Sequence, residues 1–375
     1  MKRLAAFILC TAALISVAGC AQANPGTANQ SGSTAATSPN SNTSGSAVVQ
    51  TINISHQPYS HGLPSYIADK EGLFKQAGLS AKILWFTSGP AQNEALGANE
   101  WDVGAMGSPP SIAGGIAYNS KIIAFSVDDT VSCDYWVRKD SDIAKIKNQV
   151  PGAPGILGNA ATWKGKKILC PIGTSAHYML IATLDKLGLK ETDVNIVQMD
   201  VPQAYTAFKA GQGDIVALWD PQSFYAAQEG WVKVSDGKST GETMPTVIVA
   251  SDKAIKEKPE AIMNWLKVYF QVCDKYRDNT QKQADYLLTM QLDNGIKTDA
   301  STAKKFVDKR PLPSIKEEQE WFSGTVGSRK ADTVMYKIVD FFVKEGKYTE
   351  KDKEKLKSSN WIDSQFIDKL AAQQK

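Results

Sequence analysis

From Val49 to Trp219 the chain alternates short apolar segments with helical patterns, and a cluster of Gly, Ser, Thr or Pro marks most of the changes. This alternation limits the fold more than any other feature, because repeated strand–helix–strand units build a largely parallel sheet with covering helices. Val49-Gln-Thr-Ile-Asn-Ile-Ser55 has the period of two expected of a strand. The Pro- and Gly-rich stretch His56–Pro64 reads as a loop, and Tyr66–Phe74 as a short helix stopped near Gly78. Strands are expected at Ala81–Phe86, Trp101–Met106, Lys121–Val127, Tyr135–Arg138, Lys166–Cys170, Val194–Met199 and Asp214–Trp219. Leu180, Leu184 and Leu187 give the helix after Ser175 one buried stripe, and Gly188 ends it. Asp200-Val-Pro-Gln203 reads as a capping box with Pro inside it. The Pro-, Gly- and Asn-rich stretch Asp140–Thr162 reads as a surface insertion.

One segment echoes another. Ala95, Ala98, Asp102 and Ala105 have the same spacing as Ala207, Ala210, Asp214 and Ala217. In each case a helix ends in a tight turn and re-enters a sheet through an Asp, as expected of two lobes on one plan. After Ser251 the pattern becomes helix only. Ala261–Tyr276, Lys330–Val343 and Asp363–Ala372 are amphipathic, and their faces are explained by packing and solvation.

The N-terminus has the form of an export signal. Lys2-Arg3 precedes the apolar run Leu4–Val17, and Val17-Ala18-Gly19-Cys20 places small residues before a cysteine, the pattern of a bacterial lipobox. Residues 1–19 are thus expected to be cleaved and Cys20 to carry the lipid. Ala21–Ser46 has no charged side chain and cannot bury enough surface to order itself, so residues 20–47 are expected to form a tether. Its end-to-end reach would be about 28 Å. A globular body would then sit on the extracytoplasmic side of a bacterial cell membrane, in the periplasm or at the cell exterior.

The formal charge is +3, and Lys2 and Arg3 supply two of it. No basic block interleaved with aromatics points to nucleic acid. Cys133, Cys170 and Cys273 are far apart and odd in number, which implies no disulfide framework. His56, His61 and His177 lack metal-ligand spacing, and no phosphate-binding or nucleophile-elbow motif is present, so no metal, cofactor or catalytic residue is expected. Ser175 and His177 would lie about 200° apart on a helix, too far round to act as nucleophile and base. The chain reads as a binder.

Three strand-to-helix turns are candidates for the binding chemistry: Ser88-Gly89-Pro90, Gly107-Ser108-Pro109 and Gly173-Thr174-Ser175. Helix starts offer unpaired amides and positive dipole ends, and in open α/β sheets such turns collect where ligands bind. Tyr59, Phe86, Tyr178 and Trp219 could floor a pocket, and Asp220 could meet an amine or cap the turn at Pro221.

His61-Gly-Leu-Pro-Ser-Tyr-Ile-Ala-Asp-Lys-Glu-Gly-Leu-Phe74, Phe86-Thr-Ser-Gly-Pro90 and Trp101-Asp-Val-Gly-Ala-Met-Gly-Ser-Pro109 resemble solute-binding proteins of ABC importers for taurine, aliphatic sulfonates and nitrate. Gly165–His177 and Trp219-Asp-Pro221 extend the likeness. The resemblance implies an α/β, type II periplasmic-binding fold with two lobes, a double-crossover hinge and extra C-terminal helices. It places lobe one at 48–134 plus 247–375 and lobe two at 135–246. The implied ligand contacts are Gln57, Tyr59, His61, Gly62, Leu63, Ser88, Gly89, Ser108, Thr174, Ser175, Trp219 and Asp220. The implied partners are a small sulfonate-type anion and membrane permease subunits, with the protein itself a monomer. A pyrimidine precursor, nitrate, bicarbonate or an aromatic acid is the alternative cargo.

Overall fold

The computed structural model describes residues 49–373. The expected signal, Cys20 and the tether lie outside the described residues.

Among the described residues ten strands form two five-stranded sheets. The first contains β1 (Gln50–His56), β2 (Leu79–Trp85), β3 (Val103–Gly107), β4 (Lys121–Asp128) and β10 (Pro245–Ala250), in the order β2-β1-β3-β10-β4. The second contains β5 (Cys133–Val137), β6 (Lys167–Cys170), β7 (Asn195–Gln198), β8 (Ile215–Trp219) and β9 (Val232–Asp236), in the order β7-β6-β8-β5-β9. In each sheet three parallel strands meet one antiparallel intruder, β10 in the first and β5 in the second. The chain therefore crosses twice between the sheets, at 129–132 and at 237–244. Cys133 and Asp134 already belong to the second sheet, and Pro245 and Thr246 to the first, so both crossings fall about two residues before the boundaries expected from the sequence.

The echo between the halves is structural. Asp102 donates its amide to Asn53 O and accepts the Asn53 amide on Oδ2 at 2.8 Å. Asp214 does the same with Lys167, again at 2.8 Å. This Asp ties the start of β3 to β1 in the first sheet and the start of β8 to β6 in the second, which fixes register without a side chain entering the core.

Three sequence expectations change. The stretch 140–162 is more than a surface insertion: Ile143, Val150, Ala153 and Ile156 are buried anchors, as is Trp163 just after it, and Leu157 donates its amide to Val234 O at 2.8 Å. Asp200 makes no side-chain cap, so Val201–Lys209 starts with a Pro in its first turn and no capping box. The β9 and β10 strands are additions to the expected set, and β10 is the antiparallel intruder of the first sheet.

The helices after Ser251 complete the core of the first sheet. Pro259–Tyr276 buries Ile262, Trp265, Leu266, Tyr269 and Phe270. Lys330–Lys344 also reaches the second half of the molecule: Phe341 lies edge-on to Tyr178 at 5.1 Å, and Lys344 pairs with Asp185 at 2.7 Å.

Candidate functional site

A pocket opens where the cleft-facing turns of the two sheets meet. About 50 Å³ of it is open to the centres of water-sized molecules, room for roughly four waters at 10–15 Å³ each. The loop after β1 supplies Gln57, Tyr59, Ser60 and His61; the helix starts supply Gly89, Thr174 and Ser175; the end of β8 supplies Trp219 and Asp220. The first crossing adds Asp129 and Ser132, the start of β5 adds Cys133, and the C-terminal helical part adds Phe306 and Arg310.

Eight residues expected at the site line this pocket, and four do not. Leu63 is fully buried in the core. Gly62 lies beneath the loop, where a Cβ would come within 2.6 Å of Gln57 O. Ser88 is buried just outside, as the residue preceding the helix Gly89–Gly97. Ser108 is correctly placed at a helix start, but its Oγ donates to Pro245 O on β10 and is fully buried, so this hydroxyl is structural. Of the other aromatic candidates, Tyr178 is fully buried and donates its hydroxyl to Glu242 Oε2 at 2.9 Å, and neither it nor Phe86 lines the pocket.

The three helix starts are not equivalent. Gly89–Gly97 carries Pro90 in its first turn, and Ser108–Tyr118 carries Pro109 and Pro110. Each proline removes an amide donor. Ser175–Lys186 has no proline, so Ser175, Ala176 and His177 keep first-turn amides without an i−4 carbonyl inside the helix. The backbone donors are therefore concentrated on the second half. The halves touch closely here, because a Cβ on Gly107 would lie 2.3 Å from Ser175 Oγ. Only glycine permits that approach.

Of the fixed charges of the site, Asp220 was expected from the sequence, whereas Asp129 and Arg310 were not legible. Arg310 is 2 % exposed, donates Nε to Asp129 Oδ1 at 2.7 Å and Nη2 to Asp220 Oδ2 at 2.9 Å, and lies over the Phe306 ring at 4.2 Å. The pocket thus holds one cation braced by two carboxylates rather than neutral donors alone. Burial pulls the His61 imidazole down to about 4, with Asp129 opposing and Arg310 reinforcing the shift, so it is neutral at pH 7. Burial pushes Tyr59 up to about 12. The only sequence signal for Arg310 was an arginine held in Lys309-Arg-Pro-Leu-Pro313, a proline-stiffened turn between helices.

Four polar atoms of lining residues are buried without a hydrogen-bond partner: Ser60 Oγ, His61 Nδ1, Trp219 Nε1 and Asp220 Oδ1. Buried polar atoms are nearly always paired, so four around one pocket are open to the polar groups of a solute or to water. The first and third can donate; the last accepts. Tyr59 stacks parallel to Phe306, with 8° between planes, and Trp219 stands edge-on to Tyr59.

The NMT1-like family model matches residues 46–289. The chain belongs to the NMT1-like family. A Brachyspira hyodysenteriae protein named as an ABC transporter periplasmic binding protein is 30% identical over 330 residues, 88% of this chain and 92% of that one. The taurine-binding periplasmic protein of Escherichia coli is 24% identical over 223 residues, 58% of this chain and 64% of its own length. Among solved structures, the periplasmic aliphatic sulphonate binding protein of Escherichia coli superposes with a TM-score of 0.61 at 20% identity, over 79% of this chain and 93% of that one. The fold of this NMT1-like chain is thus the periplasmic-binding fold, and it is a binding protein rather than an enzyme. No helix among the described residues is long and apolar enough to cross a membrane.

Proposed function

We propose that this chain is the extracytoplasmic substrate-binding component of an ABC importer, and that its cargo is a small organic anion of the taurine and aliphatic sulfonate class. The observation that carries the reading is the set of unpartnered buried atoms around the pocket. Ser60 and Trp219 offer donors to an anionic oxygen, and the amides of Ser175 and Ala176 add the positive end of a helix. Asp220 Oδ1 calls for an N–H donor. An aminosulfonate such as taurine answers both demands, whereas a plain alkanesulfonate answers only the first. The names of the sulfonate- and taurine-binding relatives agree with this.

In this reading the two lobes joined by the crossings at 129–132 and 237–244 move about those crossings and close over the solute. Closure is favoured by the contacts the second lobe adds, and the closed form is delivered to permease subunits. The protein works as a monomer held to the membrane by a lipid on Cys20. A second cargo, an amino-substituted pyrimidine or other flat ring, is supported by the parallel Tyr59 and Phe306 rings.

Calorimetric titration of the purified protein with taurine, ethanesulfonate, nitrate, bicarbonate, an aromatic carboxylate and an aminopyrimidine tests the assignment. Taurine should bind at least tenfold more tightly than ethanesulfonate, since a hydrogen bond to a charged group contributes about 1.5–3 kcal/mol. Binding of the pyrimidine with no heat from any sulfonate would overturn the sulfonate class while leaving the binding-protein reading intact.

A further inference from the structure

The turn Gly173-Thr174-Ser175 depends on a side chain that does not line the pocket. His177 is 6 % exposed, accepts the Gly173 N–H on Nδ1 at 3.3 Å, and places Nε2 at 2.6 Å from Glu191 Oε1. A ring nitrogen that accepts an N–H carries no proton, so the imidazole proton resides on Nε2 and is donated to Glu191. Lys347, which follows the long C-terminal helix Lys330–Lys344, pairs with the other oxygen of Glu191. Burial would raise the Glu191 carboxyl, but the His177 and Lys347 donors outweigh it and hold it below its ordinary value.

The neighbouring ties of this turn are uncharged. Ile172 N donates to Gln198 Oε1 at 2.6 Å, and Thr174 Oγ1 donates to Pro171 O at 2.6 Å. Gly173 itself is left-handed at φ 77°, a conformation open to glycine, and its amide is the one that looks to a titratable group. A chain of contacts thus runs from Lys347 through Glu191 and His177 to the backbone that precedes Thr174 and Ser175.

We propose that His177 is a positioning residue for solute binding: by accepting the Gly173 N–H, in a tautomer fixed by Glu191 and Lys347, it aims Thr174 and Ser175 into the cleft. The C-terminal helical part then does more than complete the core, because Lys347 sets the geometry of a binding turn in the other half. The proposal rests on Thr174 and Ser175 being solute contacts.

Two readouts on the full chain test it: amide hydrogen exchange at Gly173 without solute, and titration with taurine. In His177→Asn the amide oxygen can replace Nδ1 as acceptor, whereas in His177→Gln the side chain reaches Glu191 and offers no acceptor near Gly173. The Asn variant should keep Gly173 protected and hold taurine affinity within about twofold. The Gln and Ala variants should expose that amide and weaken taurine about five- to tenfold, the range for one hydrogen bond. Glu191→Leu, remote from the turn, should give a partial loss in both readouts and serves if His177→Ala does not fold. Equal protection of Gly173 in all variants, or an Asn variant as weak as Ala, would overturn the proposal. If the unmodified protein ignores taurine, the cargo assignment fails, and hydrogen exchange still decides the role of His177.

Discussion

Replacing Arg310 with Met should be the most costly single change in the pocket. Methionine keeps most of the buried stem but removes the guanidinium from between Asp129 and Asp220. Stranding one partner of a buried ion pair costs about 3–5 kcal/mol, and here two carboxylates lose their cation. They are not equally exposed to the loss. Asp129 is 22 % exposed and retains the Ser132 hydroxyl at 2.7 Å, whereas Asp220 is 1 % exposed and retains only Lys309 at 3.5 Å. Most of the penalty should therefore come from Asp220, for a net loss of about 3–4 kcal/mol. Equilibrium urea unfolding at pH 7.5 would read it as a lower midpoint at unchanged slope. The double variant Arg310→Met/Asp220→Asn should recover at least about 1.5 kcal/mol, because it removes the stranded charge together with its cause. A single variant within 1 kcal/mol of the parent, or strict additivity in the double variant, would refute the braced-cation account.

Other tests address separate elements. Burial raises Asp134 to about 6, against an ordinary 3.8, with Lys233 opposing and Asp220 adding to the shift. The folded state therefore holds this proton more tightly than the unfolded chain, and the cost is complete above about pH 6 and absent below about 3.8. Asp134→Asn should then stabilise the protein by about 1–3 kcal/mol at pH 7.5 and by almost nothing at pH 4, as thermal unfolding at the two pH values would show. Gly107→Ala puts a methyl group on Ser175 Oγ, so it should weaken solute binding at least tenfold, and Ser175→Gly in the same chain should restore part of it. A Gly107→Ala protein of unchanged affinity would show that the two halves need not meet there. Trp219→Phe removes one unpartnered donor together with part of the ring and should weaken an anionic solute by at least about 1–2 kcal/mol in calorimetry. Trp163→Ala should cost about 3–5 kcal/mol in urea unfolding, as a core residue and not a surface loop would.

The alternation of strand and helix, the paired Asp102 and Asp214 turns, the Gly- and Ser-rich helix starts, and the family motifs were all legible, because each depends on neighbours a few residues away. Period, caps and turn chemistry are short-range properties, and they determined the fold class and most of the loops that line the pocket. Tertiary structure alone decided where each polar group finds its partner. The Ser108 and Thr174 hydroxyls look alike in the sequence, yet one donates to a strand 137 residues away and the other to its own turn. Arg310 lies 181 residues from Asp129 and 90 from Asp220, in a segment whose local pattern announces only helices and prolines. Charge pairing depends on distance through space and on exclusion of water, and neither is written in spacing along the chain. The sequence by itself determined that this is a two-sheet binding protein; only the packing of its C-terminal part onto the cleft decided the charges a solute will meet.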